Sequence, residues 1–204
     1  MTATAMAHLS RADKVLARLI KKVGPCTLEP QRRRPPFQAL VRSVAYQHLN
    51  GKAAETILGR ALALFPGKAF PTPEDLLAMP DEKLRAAGLS RAKTAAIKDI
   101  AAKTLTRVVP DLRTIVKLSN EEIIERLTTV RGVGPWTVEM LLMFTLGRED
   151  VLPATDFGVR QGFALTYGLK ELPTPKELLA HGERWRPHRT TAAWYMWRAV
   201  DLKN

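Results

Sequence analysis

The sequence predicts an all-α fold, and two observations carry that prediction. Apolar residues recur at helical spacing along almost the whole chain, and no stretch alternates apolar and polar residues with the period of two that a strand requires. With 204 residues, 46% of them hydrophobic, the chain is long enough to form one or two compact domains. We therefore expect a globular helical protein without a sheet.

The first third of the chain contains three predicted helices. Ser10 and Asp13 have the spacing of a capping box, which predicts a helix over residues 11–23. After a proline-rich break, helical spacing repeats from Phe37 to His48 and predicts a second helix, and Gly51 separates it from a third over 52–65. The last two helices are expected to pack as a hairpin.

Helix-start and helix-stop signals define the remaining elements. Thr72-Pro73 and Thr174-Pro175 each place an N-cap residue before a proline at the first helical position. Gly88 ends a short helix over 81–87, and Ser90 begins a longer one. Further helices are predicted over 111–117, 120–129, 135–146, 157–167, 175–183 and 188–200.

The charge of the chain favours a polyanionic partner. The sequence has 32 basic and 20 acidic residues, and 11 of the basic but only 3 of the acidic residues fall within the first 60. Such an excess suits a phosphate backbone, although a basic surface also keeps proteins soluble.

Composition also excludes several classes of protein. Cys26 is the only cysteine, which excludes an intrachain disulfide, a cysteine-based zinc site and a four-cysteine iron–sulfur cluster. No apolar run approaches the roughly 20 residues that span a bilayer, and the start lacks the long apolar stretch of a secretory signal. We expect a soluble intracellular protein without a membrane partner.

The segment Arg131-Gly132-Val133-Gly134-Pro135 joins two predicted helices by a tight turn. Two glycines that flank one apolar residue let the backbone reach positive φ and approach a ligand closely. The helix that begins at Pro135 offers unpaired N–H groups and a positive dipole end, which together favour a phosphate. The alternative is a simple corner between helices that needs glycine for its geometry. The tripeptide Gly132-Val133-Gly134 alone favours neither interpretation.

Two longer segments carry a family resemblance. Residues 130–139 read Val-Arg-Gly-Val-Gly-Pro-Trp-Thr-Val-Glu, and residues 153–163 read Pro-Ala-Thr-Asp-Phe-Gly-Val-Arg-Gln-Gly-Phe. Supporting matches are Gln47-His48-Leu49 and the segments 88–93 and 183–187. From about Phe37 to Trp197, the chain resembles the helix–hairpin–helix DNA glycosylase superfamily, and within it the DNA-3-methyladenine glycosylase II family.

The resemblance places the catalytic aspartate of the superfamily on Asp156. An ionised carboxylate beneath the sugar can stabilise an oxocarbenium-like transition state and orient or deprotonate the attacking water. The local alternative is that Asp156 simply caps the helix beginning at Phe157.

Trp136 stands where the resemblance to bifunctional members would require a lysine. Without that amine, no Schiff base can form at this position. The resemblance therefore implies a monofunctional glycosylase that leaves an abasic site and has no lyase activity.

The resemblance also implies a base pocket and a residue that fills the vacated stack. Aromatic faces suit alkylated purines because methylation at N3 or N7 makes the base cationic. The implied pocket residues are Trp136, Met140, Phe157 and Trp197, with Met140 standing where some relatives have a stacking tyrosine. The wedge position falls on His48, with Leu49 as the alternative.

The hairpin is the implied site of contact with the DNA backbone. The residues assigned to it are Arg131, Gly132, Val133, Gly134 and Thr137. Relatives also hold a monovalent cation with hairpin carbonyls, which here would be those of Thr128, Val130 and Val133. That Na⁺ or K⁺ ion would be structural, and no other cofactor and no catalytic metal is expected.

Family architecture implies two helical lobes with the DNA and base cleft between them. The central lobe would span 36–148 and include the helix–hairpin–helix at about 120–146. The second lobe would combine 1–35 with 149–204 and carry Asp156.

The function implied is that of a monomeric DNA glycosylase of base excision repair. It would flip alkylated purines out of double-stranded DNA and release them as 3-methyladenine or 7-methylguanine. It would work in the cytoplasm (nucleoid) of a bacterium or the nucleus of a eukaryote. The alternatives are a non-catalytic helix–hairpin–helix DNA-binding protein and a glycosylase for another lesion, such as deaminated bases.

Overall fold

The structure is a computed structural model that describes residues 3–47, 49 and 51–203. Within these residues every regular element is a helix and there is no strand, so the predicted all-α class is confirmed. None of the described helices has the length and apolar character needed to cross a membrane.

Thirteen α-helices follow one another in the described part of the chain. They are α1 (Ala3–Ala12), α2 (Lys14–Val23), α3 (Pro36–Tyr46), α4 (Gly51–Ala63), α5 (Pro73–Ala78), α6 (Asp81–Ala86), α7 (Arg91–Leu105), α8 (Leu112–Ile115), α9 (Asn120–Leu127), α10 (Pro135–Leu141), α11 (Phe157–Tyr167), α12 (Pro175–Gly182) and α13 (Arg189–Asp201). A π-helical turn (Leu142–Leu146) follows α10, and a 3₁₀ turn (Glu183–Trp185) follows α12.

The chain forms two compact units. The terminal unit comprises Met1–Gln31 and Leu142–Asn204, and the central unit comprises Arg32–Leu141. Residues 142–148, which the sequence analysis assigned to the central lobe, thus belong to the terminal unit.

The central unit is built around α7. This helix packs on α3 and α5, and α10 packs on α3 and α9. Ser90 begins α7 as predicted, since its hydroxyl accepts the N–H of Lys93 at 3.2 Å. The α3 and α4 helices pack against each other, as the expected hairpin requires. Ile97 and Ile100 of α7 are buried and belong to the core of the central unit.

The terminal unit is built on the pairing of α11 with α13. A Cβ atom at Gly162 of α11 would lie 1.8 Å from the carbonyl oxygen of Met196 in α13. No side chain fits at that distance, so glycine is the only residue that allows these two backbones to meet.

The predicted start of the first helix is wrong. Ser10 lies inside α1, and the residue that caps the following helix is Asp13, whose Oδ1 accepts the N–H groups of Val15 and Leu16 at 3.0 and 3.1 Å. The alanine-rich α1 buries only Ala5 and Leu9, so its apolar pattern is too sparse to mark a separate helix in the sequence.

Asp13 also connects distant parts of the terminal unit. The side chain is only 5% exposed, and its Oδ2 binds the Tyr167 hydroxyl at 2.5 Å, the Trp185 indole N–H at 3.1 Å and His181 Nε2 at 3.0 Å. Burial by itself raises the pKa of this carboxyl, but the hydrogen bonds outweigh burial and lower the pKa to about 2. The ionised carboxylate therefore stabilises the folded unit.

We expect Asp13→Asn to lower the free energy of unfolding by about 2 kcal/mol at neutral pH, because the shift from 3.8 to about 2 corresponds to that amount. The pKa is depressed in the folded state, so the stabilisation is fully present above about pH 4 and is lost as the pH falls through about 2. Urea unfolding of both proteins across this range measures the difference.

Glu171→Gln provides a control, because Glu171 is an exposed acid of the same unit. Equal midpoints for Asp13→Asn and Glu171→Gln at pH 7 would contradict the role assigned to Asp13.

Candidate active site

The turn between α9 and α10, residues 128–134, is closed by its own backbone. The N–H of Val130 binds the carbonyl of Leu127 at 3.0 Å, and the N–H of Val133 binds the carbonyl of Val130 at 3.1 Å. Val130 and Val133 are buried, whereas Arg131 and Gly132 are exposed. The hairpin turn therefore presents the Arg131-Gly132 peptide to solvent on an apolar support.

The two glycines of the turn have different roles, which the sequence analysis did not distinguish. Gly132 has φ +73°, and a Cβ there would lie 2.7 Å from the Cβ of Ala96 in α7. Gly134 lies outside the left-handed region, and a Cβ there would have no neighbour within 4 Å. The expectation of positive φ is thus wrong for Gly134, whose lack of a side chain leaves space open in front of the turn.

Side chains from α7 hold the backbone of the hairpin turn. Asp99 Oδ2 accepts the N–H of Arg131 at 2.7 Å and lies 3.1 Å from Lys103 Nζ. Lys103 in turn donates to the carbonyl of Thr129. Partial burial raises the pKa of Asp99, but these two donors lower it below its usual value, so the carboxylate is ionised at neutral pH.

A second set of contacts links the hairpin turn to the segment after α3. Gln47 Nε2 donates to the carbonyl of Gly132 and to the hydroxyl of Thr137, both at 3.0 Å. Lys93 Nζ donates to the carbonyls of Ala45 and Gln47, both at 2.8 Å, and its burial lowers its pKa. Gln47, the residue after α3, is therefore fixed relative to the hairpin turn.

Thr137, which was predicted to contact the DNA backbone, is buried inside the central unit. Its side chain is only 2% exposed, its N–H binds the carbonyl of Gly134 at 3.0 Å, and its hydroxyl accepts from Gln47. Thr137 therefore supports the turn from within and does not present its hydroxyl to a phosphate.

The wedge prediction concerns residues 48 and 49. His48 lies outside the described residues. Leu49 is 39% exposed, and its N–H binds the carbonyl of Tyr46, the last residue of α3, at 3.3 Å. Because α3 ends at Tyr46, the predicted second helix stops before Gln47.

Asp156 is half-buried and caps α11, as the local alternative in the sequence analysis allowed. Its Oδ1 accepts the N–H of Val159 at 2.8 Å and the indole N–H of Trp197 at 2.8 Å. The helix cap and a catalytic role are compatible, because the cap fixes the carboxylate at the positive end of a helix.

The other predicted pocket residues belong to both units. Phe157 is 63% exposed and adjoins Asp156 in the terminal unit, where the Trp197 indole packs on Phe144 at 5.7 Å between ring centroids. Trp136 and Met140 are half-buried and lie one turn apart on α10 of the central unit. Two of the four predicted residues therefore lie in the terminal unit and two in the central unit.

The predicted ligands of a monovalent ion in the hairpin turn are all backbone carbonyls. Na⁺ and K⁺ prefer neutral oxygen ligands such as backbone carbonyls. Lys103 and Gln47 bind the carbonyls of Thr129 and Gly132, which are not among the three predicted ligands, whereas the carbonyl of Val130 already accepts the N–H of Val133. Among the described residues, no cluster of His, Cys, Asp and Glu is arranged to hold a metal ion.

These two features, a backbone turn open to a ligand and a helix-capping aspartate, agree with a match to a known family. The family model described as HhH-GPD superfamily base excision DNA repair protein matches residues 41–187. The chain belongs to this superfamily, and the family resemblance found in the sequence is confirmed.

Individual relatives share the fold over nearly the whole chain. DNA-3-methyladenine glycosylase 1 of Schizosaccharomyces pombe is 42% identical over 198 residues, which cover 96% of this chain and 86% of that protein. The structure of this S. pombe glycosylase in complex with abasic DNA has a TM-score of 0.90 and coverage of 96% of each chain. The structure of a DNA-3-methyladenine glycosidase from Bacillus halodurans is 35% identical, has a TM-score of 0.83, and covers 98% of this chain and 89% of that chain.

A more distant relative is DNA-3-methyladenine glycosylase 2 of Escherichia coli. It is 25% identical over 169 residues, which cover 79% of this chain and 56% of that protein.

The contrast between the two hairpin glycines gives a prediction. Gly132→Ala combines a left-handed backbone with a clash against Ala96, so we expect the free energy of unfolding to fall by at least about 2 kcal/mol. Gly134→Ala meets neither obstacle, so its thermal midpoint should stay equal or rise slightly. The affinity of Gly134→Ala for duplex DNA should fall about tenfold, or about 1.4 kcal/mol, because the new methyl group occupies the open space.

Thermal unfolding and fluorescence anisotropy with an abasic-site duplex measure the two effects. Gly59→Ala is the matched control, since Gly59 lies in α4 with no strained φ and no atom within 4 Å of a Cβ. If Gly134→Ala binds DNA like the control, the open space at Gly134 has no role in DNA binding. If Gly132→Ala is as stable as the parent, the conformational requirement for glycine at this position is wrong.

Proposed function

We propose that this protein is a monofunctional DNA glycosylase that hydrolyses the N-glycosidic bond of alkylated purines and leaves an abasic site. The observation that carries the proposal is the Asp156 carboxylate, half-buried at the start of α11 with one oxygen bound by two donors. The names of the relatives, which refer to 3-methyladenine, support this substrate class.

Binding begins with the DNA backbone. The exposed Arg131-Gly132 peptide and the open space at Gly134 let a phosphate approach the turn, and the α10 start adds a positive dipole end. The carbonyls of Thr128, Val130 and Val133 would hold a Na⁺ or K⁺ ion, which would supply one further positive charge for phosphate binding.

The chemistry requires the damaged nucleotide to leave the base stack. Leu49 is exposed and lies two residues after Gln47, which binds the hairpin turn. Its side chain can occupy the space that the flipped nucleotide leaves in the base stack, and His48 is the alternative. Trp136, Met140, Phe157 and Trp197 are the proposed pocket residues, and an aromatic face stabilises a purine that methylation has made cationic.

Bond cleavage then depends on one carboxylate. The C–N bond breaks with its electrons going to the purine, a good leaving group when it is cationic, and positive charge develops on the sugar. Asp156 stabilises that charge and accepts a proton from the water that attacks the sugar carbon. The products are the free purine and an abasic site.

We expect Asp156→Asn to lower the single-turnover rate of 7-methylguanine and 3-methyladenine release about a thousandfold. Asparagine is an equally good N-cap residue, so the fold and the affinity for abasic duplex should remain within about twofold. Release of radiolabelled base from methylated duplex and anisotropy titrations measure the two quantities.

Asp111→Asn is a matched control, because Asp111 likewise caps a helix through a bond to a backbone N–H, that of Thr114. If Asp156→Asn releases bases as fast as Asp111→Asn, Asp156 is not the catalytic carboxylate. If the parent protein binds methylated duplex and releases no base, the protein is a DNA-binding module and the glycosylase proposal is wrong.

The presence of Trp136 in place of lysine predicts the absence of a lyase step. Incubation with abasic duplex and borohydride should trap no covalent complex, and strands should break only after alkali or heat. A trapped complex that disappears when one lysine is replaced would contradict the monofunctional assignment.

A further inference from the structure

Asp156 receives a second hydrogen bond that a helix cap does not require. The N–H of Val159 is the ordinary capping partner, three residues along the same helix. The second donor, Nε1 of Trp197, comes from α13 and reaches the same oxygen at 2.8 Å. Two donors on Oδ1 from two helices leave the carboxylate little freedom to rotate.

Gly158 provides the space through which the indole reaches this oxygen. A Cβ at Gly158 would lie 2.9 Å from Cδ1 of Trp197, 3.1 Å from its Nε1 and 3.2 Å from Asp156 Oδ1. The φ of Gly158 is not in the left-handed region, so the backbone itself does not require glycine. A glycine inside a helix costs about 1 kcal/mol relative to alanine, and here it permits the contact between Trp197 and Asp156.

The position of the indole is itself fixed by two contacts within the terminal unit. Phe144, in the π-helical turn, packs against the Trp197 ring with an angle of 31° between the ring planes. Gly162, one turn after Gly158, brings the α11 backbone against Met196, the residue before Trp197. The spacing between Trp197 and Asp156 is therefore determined by backbone packing and not by a flexible side chain.

We propose that Trp197 is a positioning residue, which orients the Asp156 carboxylate through its indole N–H, and that Gly158 is the position that makes this contact possible. This inference rests on the proposed function, because it concerns the Asp156 carboxylate on which that function depends. This role is additional to the predicted role of Trp197 in the base pocket, in which its aromatic face would contact the base.

Trp197→Phe separates the two roles because it keeps an aromatic ring and removes the N–H donor. The maximal single-turnover rate of 7-methylguanine release should fall at least tenfold, while the enzyme concentration giving half-maximal rate, the affinity for abasic duplex and the thermal midpoint stay near the parent values. Trp194→Phe on the same helix is the control, since Trp194 packs on Tyr195 and Arg198 and should keep its rate.

Gly158→Ala tests the same contact without replacing Trp197. Its methyl group should displace the indole and lower the maximal rate to a similar extent, with DNA affinity retained. In an Asp156→Asn background, Trp197→Phe should cause no further loss, because the group that it orients no longer reacts.

Hydrogen exchange of the Trp197 indole N–H gives a readout that does not depend on activity. Its NMR signal should exchange slowly in the parent protein and at least tenfold faster in Asp156→Ala. Fast exchange in the parent, or an unchanged maximal rate in Trp197→Phe, overturns the positioning role. Loss of activity in Asp156→Asn with full activity in Trp197→Phe rejects this inference alone. Full activity in Asp156→Asn rejects the catalytic role of Asp156, and absence of base release by the parent protein rejects the proposed function itself.

Discussion

The contact of α11 with α13 is the constraint on which the terminal unit depends. Gly162 allows the two backbones to touch at Met196, and this contact sets the register of every side chain along the two helices. Dense packing of this kind transmits position accurately, because neither helix can shift without forming a void or a clash. The capping carboxylate at the start of α11 and the indole of α13 are placed by the same contact. The carboxylate that we propose acts on the sugar is thus held by backbone geometry.

The hairpin turn is stabilised in a different way. Its exposed peptide is held by polar side chains that originate elsewhere in the central unit, namely Asp99 and Lys103 from α7 and Gln47 after α3. Each of these contacts occupies a backbone group of the turn that water would otherwise bind. A loop prepared in this way loses little conformational entropy when it meets a phosphate. The large open surface of the turn is therefore rigid in spite of its two glycines.

The sequence predicted the helical class and the span of α11, because these depend on local patterns, whereas the catalytic role of Asp156 was implied by the family resemblance alone. The Asp156 cap and the helix from Phe157 to Tyr167 are visible in a few neighbouring residues. The continuous helix predicted over 135–146 was wrong beyond Leu141, since apolar periodicity does not distinguish α-helical from π-helical turns. The contacts of Gln47 and Asp99 with the hairpin join residues 85 and 32 positions apart, so no local signal announces them. Gly158 could have been noticed as a glycine inside a predicted helix, a position that usually has a packing reason.

The π-helical turn at Leu142–Leu146 makes the number of residues in this segment, and not only their type, a requirement of the fold. A π-helical turn accommodates one residue more than the matching α-helical turn, and it leaves backbone groups available to partners outside the helix. Here the carbonyl of Phe144 accepts the N–H of Gln31 at 2.8 Å. Deleting a single residue from this turn would restore regular winding and rotate the Phe144 ring by about 100° away from Trp197. The loss or gain of one residue in this segment would therefore disturb the structure more than the exchange of one apolar side chain for another.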